Sequence, residues 1–145
     1  MTQPILESTA KVLVLNEKQE ALILTIGEYI GHPEKSFTPD LPGGMVDPGE
    51  TELIAVQREL KEEANIDSDN TQFKLAFTRT EFYPKKNKSV TKFLYVLHLN
   101  HTPEVTVSWE HADYAWVPID TLLDNVTLRP FYDEGVRYAI TNELV

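Results

Sequence analysis

The sequence predicts an α/β domain in which strands and helices stack in layers. Three observations carry this reading. Short runs of alternating or β-branched apolar residues recur along most of the chain. One amphipathic helix pattern follows the early strands, and a second closes the chain. The length of 145 residues suits one ordinary domain, 1–145, large enough to bury well over half of its unfolded surface.

Lys11–Leu15 is β-branched and weakly alternating, hence a strand; Asn16–Gln19 turns, and Ala21–Ile26 is the second strand. The stretch from Gly27 to Ser36 holds two glycines and a proline and reads as a loop. Phe37–Leu41 then leads into the Pro42-Gly43-Gly44 turn. After a second turn, Asp47-Pro48-Gly49, Thr51 is a suitable N-cap for a helix running to about Ala64. Leu53, Val56, Leu60 and Ala64 give that helix its apolar face, with Glu59 and Glu63 flanking it at the boundary with solvent. Phe73–Tyr83 and Val90–Leu99 alternate as two long strands of a hairpin. Val105–Val107 is a short strand candidate, Tyr114–Val117 another strand, and Ile119–Leu123 one or two helical turns. Phe131–Leu144 follows Pro130 with Tyr132, Val136, Ala139 and Ile140 on one side, an amphipathic C-terminal helix.

The composition is that of a globular protein, with 41% hydrophobic and 25% charged residues. Apolar runs such as Val12–Leu15 and Ala21–Leu24 are far too short to span a membrane. No basic flank followed by an apolar core opens the chain, so no secretory signal is expected. The absence of cysteine excludes disulfides, thiolate metal sites and cysteine nucleophiles, and fits a cytoplasmic setting. A formal charge of −10 opposes stable binding to nucleic acid. Residues 74–92 depart from this balance, with Lys74, Arg79, Lys85, Lys86, Lys88 and Lys92 against the single acid Glu81. A locally basic segment beside an acidic centre suits a metal-bound polyphosphate; the plainer reading of PKKNK is a solvated hairpin tip.

The most informative stretch is GMVDPGETELIAVQRELKEEANI, Gly44 to Ile66. A glycine turn precedes a helix bearing Glu59, Glu62 and Glu63 on neighbouring directions. Like charges one turn apart cost a helix roughly 0.2–0.5 kcal/mol per pair, so the cluster suggests a bound cation. Hard divalent ions such as Mg²⁺ take carboxylate oxygens together with substrate phosphates. A solvated acidic face is the alternative reading of the three glutamates alone.

The stretch closely resembles the signature box of the Nudix hydrolase family, G-x5-E-x7-R-E-U-x-E-E-x-G-U, where U is aliphatic. Gly44, Glu50, Arg58, Glu59, Leu60, Glu62, Glu63 and Ile66 fill eight of its nine defined places, and Asn65 stands at the last glycine. Asparagine tolerates the left-handed backbone best after glycine. The resemblance implies a Nudix-type α/β/α sandwich with a mixed β-sheet. It implies a Mg²⁺-dependent enzyme, with Mn²⁺ as a substitute, that hydrolyses a diphosphate linkage in a nucleoside triphosphate or another nucleoside diphosphate derivative.

Carried over residue by residue, Glu59 and Glu63 match the direct metal ligands, Glu62 a ligand acting directly or through water, and the Gly43 carbonyl a further one. Glu50 and Arg58 match a buried pair that braces the loop carrying Gly44 against the helix. SWEHADYAWVP, residues 108–118, is similar to a downstream segment that supplies an extra ligand or a general base; Glu110 is the candidate and Asp113 the second. The general base is therefore one of Glu59, Glu62 and Glu110. His111 reads as a loop hydrogen-bonder, since Mg²⁺ prefers oxygen, and Trp116 as core. Tyr83, 17 residues past the box, resembles the tyrosine that can stack on a base in enzymes acting on dinucleoside polyphosphates. Tyr83, Phe37, Lys85 and Lys86 are the substrate-binding candidates. The expected partner is a small nucleotide, with a homodimer left open. The alternative is a Nudix-fold module that senses a nucleotide without cleaving it; an isopentenyl-diphosphate isomerase shares the box but needs a cysteine that this chain lacks.

Overall fold

The structure is a computed structural model that describes residues 2–145. Its first strand, β1 (Ile5–Leu15), starts six residues before the predicted Lys11. The extension is held by a partner distant in sequence. β1 lies parallel to β6 (Lys88–His98) over its whole length, from Ile5 opposite Lys88 to Leu15 opposite His98. β2 (Glu20–Ile26) turns back from β1 through Asn16, whose side chain accepts from the Lys18 and Glu20 amides. The predicted hairpin is present as β5 (Phe73–Tyr83) against β6, with Asn87 left-handed (φ 45°) at its tip. β7 (His111–Pro118) runs antiparallel to β2.

Two short strands fall where turns dominate the sequence, β3 (Pro39–Asp40) on β2 and β4 (Gly43–Met45) on β1. The sheet runs β3-β2-β1-β6-β5, with β4 beside β1 and β7 beside β2. One parallel pair among antiparallel ones makes it a mixed sheet, as expected.

α1 (Glu52–Ala64) has the predicted bounds. Thr51 accepts from the Ile54 amide at 3.2 Å, and Asn65 ends the helix at φ 57°, in the left-handed region that the box gives to glycine. α2 (Leu122–Asn125) is a single turn, and α3 (Pro130–Thr141) ends three residues earlier than predicted. The Leu144 amide instead folds back to the Ala139 carbonyl. Val105–Val107 is not a strand. Thr106 donates to the Ala64 carbonyl and Ser108 to Glu63's, so this segment is tied to the end of α1 rather than to a sheet edge.

Alternation along β1 divides the core between two faces. Val12 and Val14 pack with Val56, Leu60 and Ala64 of α1. Leu13 and Leu15 pack with Phe131, Tyr132, Val136 and Ala139 of α3. Each such Val or Leu contributes about 1.5–3 kcal/mol by leaving water, so slipping β1 by one residue would unseat both helices at once. The result is an α/β/α sandwich. Among the described residues no helix is long and apolar enough to cross a membrane.

Candidate active site

The loop between β3 and α1 approaches the sheet so closely that only glycine fits. A Cβ on Gly43, at φ 137°, would stand 2.2 Å from the Ala10 carbonyl oxygen. A Cβ on Gly44 would stand 2.8 Å from a carboxylate oxygen of Glu59. The Glu59 carboxylate thus lies directly against the Gly44 backbone. Gly43→Ala is expected to destabilise the fold by at least ~2 kcal/mol. Urea unfolding checks this, and a wild-type midpoint would contradict the packing described.

Glu63 goes deeper than predicted. It is buried rather than flanking, because its Oε1 accepts from the Gly43 amide at 2.7 Å. Burial pushes its carboxyl up to about 7, against the pull of Lys11 and the Gly43 amide. Glu59 is also raised, first by burial and further by the charges of Glu62 and Glu110, against the pull of Arg58. Two desolvated carboxylates beside two more acids are suited to a cation that would pay for their charge.

Arg58 gathers the exposed side of this cluster. It donates to both oxygens of Glu50 at 2.8 and 2.9 Å, and to Glu59 and Glu62 at 3.1 and 3.2 Å. These bonds raise its own pKa, with Glu50 the main cause, and hold Glu50 down to about 2. The pair exists as predicted but is only half-buried: the Arg58 side chain is 28% exposed and that of Glu50 16%. Glu50 also accepts from the Asp47 amide, so the bridge fastens the loop to the helix.

A cavity of about 690 Å³ opens over this region, lined by Gly43, Gly44, Glu63, Glu110, His111 and Arg129 among others. Glu110 reaches it because its backbone carbonyl is bound by the Gly27 amide at 2.9 Å. Asp113 is turned toward its own strand, accepting from the Tyr114 amide. A second cavity of about 350 Å³ is lined by Thr9, Arg79, Glu81, Tyr83, Lys92, Phe131 and Tyr132, and shares Lys11 and Arg129 with the first. Tyr83 is therefore on a cavity wall. Phe37, Lys85 and Lys86 line neither cavity, and Lys88 is paired with Glu7 at 3.1 Å. Trp116 packs against the core, as expected.

The reading of the sequence missed a buried network behind the first cavity. Lys11 Nζ contacts Asp40 at 2.9 Å and the carbonyls of Leu41 and Gly43 at 3.0 and 3.3 Å. Asp40 also accepts from Arg129 at 3.0 Å and meets His111 Nε2 at 3.1 Å. Burial opposes the Asp40 charge, but Lys11 and the His111 hydrogen bond outweigh it and hold the carboxyl well below its usual range. One ligand atom each from Asp40, Glu63 and His111 lie within 4.8 Å of one another, so this cluster could hold a metal ion. The available signal was Lys11 itself, a lone charge at the head of the apolar run VLVL.

The mixed sheet between two helical layers, with a carboxylate-rich helix against a glycine loop, defines an α/β/α sandwich with an acidic site at one end of the helix. The sequence profile of the NUDIX domain family matches residues 6–138, and the chain belongs to the Nudix hydrolase family. It is 36% identical over 108 residues to bis(5'-nucleosyl)-tetraphosphatase [asymmetrical] of Caenorhabditis elegans, covering 74% of this chain and 77% of that one. The Mus musculus protein of the same name is 30% identical over 106 residues, 72% and 68% of the two chains. Among solved structures, a MutT protein from Methanosarcina mazei Go1 superposes with a TM-score of 0.77 at 26% identity, over 99% of each chain. A C. elegans Ap4A hydrolase binary complex superposes with a TM-score of 0.72 at 26% identity, over 95% of this chain and 98% of that one.

Proposed function

We infer that residues 1–145 form one Nudix domain that hydrolyses a dinucleoside tetraphosphate asymmetrically, by attack of water on phosphorus, with Mg²⁺ or Mn²⁺. The observation that carries this reading is the pair of cavities meeting at Lys11 and Arg129. One is lined by Asp40, Glu63 and Glu110 and by Gly44, against whose backbone the Glu59 carboxylate lies. The other joins an aromatic wall of Tyr83, Phe131 and Tyr132 to the cations Arg79 and Lys92, the chemistry of a nucleoside attached to phosphates. The names of the C. elegans and mouse relatives agree with it.

Glu59, Glu62, Glu63 and the Gly43 carbonyl would hold the divalent ion, all oxygen donors of the hard type that Mg²⁺ takes. When bound, such an ion neutralises phosphate oxygens and acidifies water. The chain's residues supply the rest. Arg58 keeps the helix and loop in register, and Lys92, Arg79 and Arg129 offset the charge of the polyphosphate. Glu110 lines the cavity and, among the described residues, has no ion-pair partner within 4.0 Å; we assign it to accept the proton of the attacking water. The new P–O bond forms as the P–O–P bond breaks, and the leaving phosphate departs with the bonding pair. The setting we favour is the cytoplasm, without membrane or nucleic-acid partners and with a homodimer compatible with the site.

A panel of nucleotides with Mg²⁺ tests this. The expected products from a dinucleoside tetraphosphate are one nucleoside triphosphate and one monophosphate. Tyr83→Ala is expected to raise KM about 10-fold with little change in kcat, since base stacking contributes about 1–3 kcal/mol. A folded, metal-loaded chain that binds nucleotides yet cleaves none of them would favour the sensing module instead.

A further inference from the structure

Among the described residues, three buried side-chain atoms lack a hydrogen-bond partner, and only one of them, His111 Nδ1, belongs to a residue lining the larger cavity. An orphaned buried polar atom costs about 1–3 kcal/mol and asks for a missing partner. The His111 side chain is 3% exposed. Its other nitrogen, Nε2, lies 3.1 Å from Asp40 Oδ2. A carboxylate only accepts hydrogen bonds, so Nε2 carries the hydrogen in this contact. Asp40 remains a carboxylate because Lys11 and Arg129 pair with it at 2.9 and 3.0 Å. Nδ1 faces Glu63 Oε2 across 3.7 Å, beyond hydrogen-bond reach. Two ligand-type atoms therefore face each other in a buried wall across a gap that suits a cation, within a cluster whose Asp40, Glu63 and His111 ligand atoms all lie within 4.8 Å of one another.

The geometry points to a mixed nitrogen–oxygen cation site, in which His111 Nδ1 and Glu63 Oε2 bind one borderline divalent ion of the Mn²⁺, Co²⁺ or Zn²⁺ class while Asp40 orients the imidazole from behind. Two donors about 2.1 Å from one ion stand about 3.0–3.4 Å apart, so the observed gap needs to close by only a few tenths of an ångström. A carboxylate behind a ligating imidazole fixes its tautomer and ring orientation. The hydrogen-bonding role expected of His111 describes Nε2 and leaves Nδ1 without a task. An imidazole nitrogen favours borderline ions, whereas the oxygen donors of α1 suit Mg²⁺. The chain would then discriminate between the two kinds of ion at one residue.

The test is pulsed EPR of the full chain loaded with Mn²⁺ and free of nucleotide. Wild type is expected to show ¹⁴N modulation from a directly bound imidazole, altered by ¹⁵N-histidine labelling. His111→Gln should abolish that modulation and weaken Mn²⁺ binding by at least ~10-fold. Mg²⁺ affinity should change by less than about 3-fold, because hard ions gain little from nitrogen. A chain with His32, His98 and His101 all changed to Gln should keep the modulation, which identifies the nitrogen even where His111→Gln does not fold. A wild-type spectrum without ¹⁴N modulation, its survival in folded His111→Gln, or its loss in the triple variant overturns the site. Turnover does not enter, so the result is independent of which nucleotide the enzyme cleaves.

Discussion

Glu59→Gln and Glu63→Gln are each expected to lower kcat by at least ~100-fold, with an unchanged circular dichroism spectrum. The amide keeps the size of the carboxylate and removes the charge that would hold the cation. Glu63→Gln retains an oxygen for the Gly43 amide, so the contact seating the loop survives. The two variants should also separate metal from fold. In wild type without metal, the Glu63 carboxyl is raised by burial from 4.5 to about 7. Between these values the folded chain binds more protons than the unfolded one. Stability therefore falls as pH rises through this window, and Glu63→Gln should fall less steeply there, the remaining slope coming from Glu59, whose carboxyl is also raised. Above pH 7 the metal-free variant should be more stable than wild type by on the order of 3 kcal/mol. Millimolar Mg²⁺ or Mn²⁺ should raise the melting temperature of wild type, and the rise should be blunted in both variants. Turnover at the wild-type rate in both would remove the carboxylates from the reaction, and a wild-type melt indifferent to divalent ions would favour a solvated acidic face.

What the sequence disclosed about this site was local. The cap at Thr51, the left-handed Asn65 and the bond between Glu50 and Arg58 all lie within one loop and helix, where spacing along the chain sets spacing in the structure. The hairpin of β5 and β6 was legible for the same reason. The parallel pairing of β1 with β6 was not, because nothing near either strand encodes a partner more than 80 residues away. The network of Lys11, Asp40, His111 and Arg129 shares that blindness. Its members come from β1, β3, β7 and the approach to α3, and meet only when the sheet has formed. Their residue types are common and their separations carry no pattern. The basic segment shows the converse. Arg79 and Lys92 face each other across the hairpin and enter the second cavity, while Lys85 and Lys86 at its tip do not. Composition located the charge but could not say which side of the strand carried it.

Lys11→Met is expected to cost the fold about 3–5 kcal/mol at pH 7, the penalty for removing one partner of a buried ion pair. Lys11 is 7% exposed, and its ammonium is held by Asp40 and by the carbonyls of Leu41 and Gly43. Burial lowers the Lys11 pKa, but the attraction of Asp40 outweighs this, so the charge is kept inside. Methionine fills the space and leaves the Asp40 carboxylate facing only Arg129, whose side chain is 48% exposed, and His111. Asp40 also makes the loss depend on pH. A carboxylate depressed in the folded state stabilises above its unfolded pKa of 3.8, and that stability is lost as pH falls toward the folded value. Wild type should therefore lose stability on acidification below about pH 4. Lys11→Met, whose Asp40 is no longer depressed by the ammonium, should lose much less over the same range, and the two curves should converge. Adding Asp40→Asn to Lys11→Met should recover about half of the neutral-pH loss, because the charge left unpaired is then gone. Denaturant unfolding of the two single variants and the double variant at pH 7 and pH 3 measures the coupling directly. Strictly additive losses, or a Lys11→Met penalty below about 1 kcal/mol, would show that Lys11 and Asp40 behave as a solvated surface pair and that the loop bearing Gly43 is held by packing alone.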